Sequence, residues 1–147
     1  MKNQPVIFLD VDGVLNRCGK SHLKLEVDLL NNFQRITDEI DPIIVLSSSW
    51  RKFERALKDL LFEFTNRGLV IHSHTPILDC KIESGIYTSV ERGVEIQQWM
   101  DENWTPDKFV IIDDGSDMAH LKTNLIQTNS FEGLTPEITN QIINFLK

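Results

Sequence analysis

Short apolar runs alternate along this chain with longer stretches whose apolar residues recur at helical spacing. Val6–Leu9, Ile43–Leu46, 69–71, 109–112 and, more weakly, Leu125–Gln127 are close to continuously apolar. That is the pattern of strands buried on both faces. Between them Leu29, Leu30, Phe33, Ile36 and Ile40 form a helical stripe ending at Pro42. Phe53, Ala56, Leu57, Leu60, Leu61 and Phe64 form a second stripe over about 50–66, with Gly68 as its stop. A looser stripe of Val90, Val94, Trp99 and Met100 precedes Thr105-Pro106. Thr135 as cap and Pro136 as first residue predict a last helix that buries Ile138, Ile142, Phe145 and Leu146. Strands and helices in alternation predict an α/β fold, a Rossmann-like parallel sheet with helices on both faces. The one long irregular stretch, 72–89, reads as a site wall or lid.

Composition narrows this picture without redirecting it. The 147 residues suit a single domain spanning 1–147, large enough for a core that needs no cross-links. Cys18 and Cys80 form no Cys-x-x-Cys pair, so neither a disulfide framework nor a zinc site is expected, and the setting is read as reducing and cytoplasmic. The apolar run before Asp10 is too short for a signal peptide, and none approaches the ~18 residues of a membrane span. A formal charge of −7 argues against wrapping a long nucleic acid by bulk attraction. Local basic clusters remain able to hold a phosphorylated end. Arg17, Lys20, His22 and Lys24, with Arg51, Lys52 and Arg55, are candidates for such a rim.

The chemistry collects where strands end, the edge at which parallel sheets place their sites. The first strand runs into Asp10-Val11-Asp12-Gly13. Carboxylates two apart in extended chain project together, and their repulsion calls for a proton or a hard, oxygen-ligated cation such as Mg2+. A calcium-binding helix-loop-helix loop fails here, because Gly13 stands fourth rather than sixth and Ser21 occupies the twelfth place, where glutamate is required. An Asp-Gly turn is the plainer alternative. The second strand passes through Ser47-Ser48-Ser49 into a helix, offering hydroxyls and free amides suited to phosphate. Ser49 is the expected cap, Ser47 or Ser48 the expected ligand contact, and Arg51 a further candidate for substrate. The fourth strand ends in Asp113-Asp114, an acidic pair costly to bury unless it coordinates a cation or accepts hydrogen bonds. His72 and His74 alternate like metal ligands, but only Asp79 and Cys80 lie near as further donors.

Taken together, these motifs resemble the haloacid dehalogenase (HAD) superfamily of phosphohydrolases. Asp10-Val11-Asp12-Gly13 is similar to its first motif, Ser47 to its second, Arg92 in Glu91-Arg92-Gly93 to its basic third, and Asp113-Asp114 to its fourth. Lys81, in the long loop, is the alternative basic residue. With Gly133-Leu134-Thr135 the chain looks like an uncapped branch related to the phosphatase modules of RNA-repair (Swiss Army Knife) proteins. The resemblance implies Asp10 as nucleophile and Asp12 as acid and base. It implies Mg2+ held by Asp10, the backbone carbonyl of Asp12 and Asp113, with Asp114 assisting. Ser47 would hold a phosphoryl oxygen, Arg92 would offset transition-state charge, and Ser48, Arg51 and Lys81 would contact substrate. With only a short flap at 14–26 and a loop at 72–89, the site is expected to be open, suiting a phosphorylated nucleotide, a nucleic-acid end or another bulky phosphoester. Two other classes share part of this pattern. A phosphate-accepting receiver domain would place its acidic pair first and its phosphorylated Asp on the third strand, where this chain has Ile71-His72. A catalytically silent interaction domain would have little use for Asp10, Asp12, Ser47 and Asp113 together.

Overall fold

The computed structural model describes residues 3–19, 24–78, 80–81, 85 and 87–147. Its elements are β1 (Val6–Leu9), α1 (Val27–Ile40), β2 (Ile43–Leu46), a 3-10 turn (Ser49–Lys52), α2 (Glu54–Asn66), β3 (Ile71–His74), β4 (Cys80–Lys81), β5 (Tyr87–Thr88), α3 (Arg92–Glu102), β6 (Phe109–Asp113), a second 3-10 segment (Ala119–Asn124), β7 (Leu125–Gln127) and α4 (Pro136–Leu146). Five strands form one sheet in the order β3-β2-β1-β6-β7, with every pairing parallel. The fold is therefore the expected Rossmann-like α/β sheet, with no large cap. The two-residue strands β4 and β5 pair antiparallel as a separate two-stranded sheet. No helix among the described residues is long and apolar enough to cross a membrane.

Alternation along the strands divides the core in two. Ile7, Leu9, Ile44, Leu46, Val110 and Ile112 face α1, α2 and α4, meeting Leu30, Phe33, Phe64 and Ile142. Val6, Phe8, Val45 and Ile111 face the opposite way, toward Ile96, Trp99 and Met100 of α3. There the Phe8 ring stands edge-on to Trp99 at 5.3 Å. Because β1 is central and buried on both sides, the chain leaving it at Asp10 emerges from the middle of the sheet.

Several elements differ from the sequence expectation, each for a physical reason. The stretch from Trp50 is not one helix: Phe53 is extended, with φ −120° and ψ 116°, and separates a 3-10 turn from α2. Ser48, not Ser49, caps that turn by accepting from Trp50 N–H at 3.1 Å. The third strand lies at Ile71–His74 rather than 69–71, because Gly68 turns the chain at φ +72° and Leu69 closes back on Phe64. On α3 the buried face is Gly93, Ile96, Trp99 and Met100, while Val94 is exposed. On α4 the Thr135 hydroxyl accepts from Ile138 N–H as expected, but Phe145 is exposed and Ile143 takes the inward position.

Candidate active site

The ladder itself assembles the site. Leu9 pairs with Leu46 on one side and Ile112 on the other. One residue further, Ser47 N–H donates to Leu9 O and Asp10 N–H to Ile112 O, both at 2.9 Å. Thr75 N–H donates likewise to Leu46 O at 2.9 Å. Thr75, Ser47, Asp10 and Asp113 thus form one row across the carboxyl edge of the sheet. Residues widely separated in sequence meet there because parallel register aligns strand ends.

A carboxylate oxygen from each of Asp10, Asp113 and Asp114 lies within 4.8 Å of the other two. Burial pushes the Asp10 carboxyl well above the usual carboxylate range, and the negative charges of Asp113 and Asp114 push the same way. Arg92 and a hydrogen bond from Val11 N–H pull back without prevailing. Asp113 is raised by burial too, against the opposing pull of Arg92 and of Gly115 N–H. Three converging carboxylates held at this energetic cost, with oxygen as the only donor type, fit a hard divalent cation. Gly13 makes the convergence possible: its φ is +78°, and a Cβ there would sit 2.2 Å from Asp114 Oδ2. Asp114 Oδ2 also accepts from the Ser130 hydroxyl at 2.9 Å.

Arg92 supplies the countercharge. Its Nη1 lies 3.0 Å from Asp10 Oδ1 and 2.7 Å from Asp113 Oδ2. Burial alone would lower its pKa, but Asp10 and Asp113 outweigh that and hold it above the ordinary arginine value. The side chain starts from the first residue of α3, and that helix end is clamped to the loop after β6. Gly93 N–H donates to Asp117 O at 3.0 Å, and any Cβ on Gly93 would fall 2.0 Å from Met118 O.

Asp12 is treated differently. Its side chain is not among the three converging carboxylates. Instead Asp12 Oδ1 accepts from Trp50 Nε1 at 2.8 Å and from Asn16 Nδ2 at 2.9 Å. Asn16 Oδ1 in turn accepts from Gly13 N–H at 2.9 Å, and Gly13 O accepts from the Thr128 hydroxyl at 2.8 Å. Asp12 is thus aimed by a hydrogen-bonded turn and an indole. Trp50, Asn16, Thr128 and Ser130 were not anticipated as site residues, although a Trp directly after the serine run was a visible signal for the first.

The remaining candidates separate clearly. The Ser47 hydroxyl is buried with no hydrogen-bond partner among the described residues, whereas the Ser48 hydroxyl is engaged by Trp50 N–H. Arg51 is not brought into the set. Its guanidinium donates to the carbonyls of Thr75, Ser47, Ser48 and Pro76 and pairs with Glu95 Oε1 at 2.9 Å, its side chain 1% exposed. It ties the end of β2 to the end of β3, and every direction it offers is taken. Glu95, the partner that makes this possible, also accepts from Leu78 N–H at 2.9 Å. Of the expected basic rim, Arg17 is spent on Glu26 and Asp28. Lys20, His22, Asp79 and the side chain of Lys81 lie outside the described residues. The Cys18 thiol on the flap is pushed up by burial and then by Asp114, Asp12 and Asp10, which keeps it protonated.

With that geometry in place, the chain can be set beside known proteins. A family model described as the HAD domain in Swiss Army Knife RNA repair proteins matches residues 6–138. No curated protein matches the chain.

Proposed function

The chain belongs to the family of HAD domains found in Swiss Army Knife RNA repair proteins, and from that premise we propose that it is a Mg2+-dependent phosphomonoesterase acting on phosphorylated nucleotide or nucleic-acid ends. The observation that carries this reading is the convergence of Asp10, Asp113 and Asp114 on one point beside Arg92. Asp10, Asp113 and Asp114, with the Asp12 carbonyl, would hold the ion. When bound, Mg2+ supplies charge neutralisation for the acids and the phosphoryl group.

The chain's own residues carry the steps. Asp10, with Oδ1 fixed by Arg92, attacks phosphorus in line through a carboxylate oxygen as the bond to the leaving oxygen breaks. Asp12, aimed by Trp50 and Asn16, gives its proton to that oxygen. It then takes a proton from the water that hydrolyses the aspartyl-phosphate, which releases phosphate and restores Asp10. The unpartnered Ser47 hydroxyl supports a role in donating to a phosphoryl oxygen. The Nε and Nη2 groups of Arg92, without partners among the described residues, suit the charge that develops on the equatorial oxygens.

The test is Asp10→Asn assayed with Mg2+ against phosphomonoesters. The expected loss in kcat exceeds about 10³-fold, roughly 4 kcal/mol of barrier. Activity surviving within tenfold would remove Asp10 from the nucleophile's role.

A further inference from the structure

Beside Asp12 opens a pocket of about 380 Å³ that does not include Asp10. It runs from Asp12 along the Trp50 indole to Phe53, Arg55 and the first turn of α2. The volume lies within the ~300–1,000 Å³ of small-molecule sites. Two of its side chains have no structural employment. Phe53 is 62% exposed, although an aromatic ring in water is unfavourable, and its backbone is fixed by the bonds Phe53 N–H to Trp50 O and Leu57 N–H to Phe53 O. Arg55 is exposed and has no partner among the described residues, in contrast to Arg17, Arg51 and Arg92, which are all paired.

Resting on the phosphatase reading, we propose that this pocket receives the nucleoside leaving group of a phosphorylated polynucleotide end. The base stacks on Phe53, and Arg55 meets the phosphodiester that continues the strand. Asp12 lines the pocket and is the proposed acid, so the oxygen it protonates must belong to whatever enters there. An indole, an exposed phenyl ring and one free guanidinium beyond them match a planar base followed by a second phosphate. A phosphotyrosine peptide would satisfy the rings but leave Arg55 without an anion. The overall charge of −7 means that such a strand is held by this local contact and not by bulk attraction. The step is ordinary hydrolysis: the bond from phosphorus to the nucleoside oxygen breaks, and that oxygen leaves with the Asp12 proton.

The full chain with Mg2+ is assayed on 3′- and 5′-phosphorylated oligonucleotides, a phosphotyrosine peptide and glycerol phosphate. In parallel, equilibrium binding of the oligonucleotides is measured in an Asp10→Asn background. Phe53→Ala is expected to lower the ratio of kcat/KM for oligonucleotide over glycerol phosphate by about tenfold, through KM, and to weaken binding by a similar factor, with Phe53→Trp restoring both. Arg55→Ala is expected to reduce oligonucleotide affinity severalfold and its salt dependence along with it. If both variants leave oligonucleotide turnover and binding unaltered, or if the phosphotyrosine peptide is the preferred substrate, the pocket assignment falls while the phosphatase stands. If the oligonucleotide binds through Phe53 but no phosphoester is hydrolysed, the pocket stands and the catalytic reading falls.

Discussion

Two arginines sit within reach of the same sheet edge and live in opposite surroundings. Arg51, just after β2, has a side chain 1% exposed, faces four backbone carbonyls and one carboxylate, and has no free N–H direction. Arg92, opening α3, is 20% exposed and bridges two site carboxylates through a single nitrogen. The first guanidinium fixes where strands end. The second leaves donors open toward the space those ends enclose. Proximity to a motif therefore does not assign a role; what decides is whether a polar group's hydrogen-bonding capacity is already used.

Breaking the buried member should have the largest effect. Arg51→Ala removes the ion-pair partner of Glu95 and the side-chain donor to four carbonyls, and should destabilise by about 3–5 kcal/mol in denaturant titration. A near-neutral result would erase the contrast. Arg92→Ala should instead fold, and should lose about 10²–10³ in kcat, with Arg92→Lys recovering part of it. Equal loss of stability in both variants would show that the two arginines are alike.

A third prediction concerns pH. Burial raises Asp10 and Asp113 in the folded state. Their contribution to stability is therefore fully present below the unfolded carboxylate value of 3.8 and is lost as pH rises through the folded values. Thermal melts of metal-free protein should show this decline toward neutral pH. Mg2+ should reverse it at neutral pH, by ~2.7 kcal/mol at a hundredfold excess over Kd. The smallest effect is expected for Trp50→Phe, which keeps an aromatic ring, though a smaller one, but removes the 2.8 Å bond to Asp12 Oδ1. It should lower kcat about tenfold, roughly 1.4 kcal/mol, and shift the pH profile of kcat, which a purely structural substitution would not move.

The sheet was legible because its strands are apolar on both faces and its site acids follow them directly. Asp10, Ser47 and Asp113 could be named from position alone, since parallel strands end at one edge. What was hidden is what depends on partners distant in sequence. Arg51 read as a free cation because its neutraliser, Glu95, lies on another element, on the buried face of a helix where a count of apolar residues finds Trp99 and Met100 but passes over a buried acid. The helix at 50–66 was read through Phe53 because its apolar spacing continues, while the break comes from backbone geometry that periodicity does not record. Spacing alone put Asp10 and Asp12 together as projecting carboxylates, and it is Trp50, Asn16 and the tight turn at Gly13 that set their side chains apart.

That acids at the carboxyl ends of β1 and β6 hold one divalent ion can be checked by titrating Mg2+ into metal-free protein in a calorimeter. One ion per chain is expected, with binding weakened severely by Asp113→Asn and by Asp10→Asn and little altered by Asp59→Asn, which lines the neighbouring pocket. Binding of undiminished strength in both site variants, or no saturable binding in the unaltered chain, would contradict it.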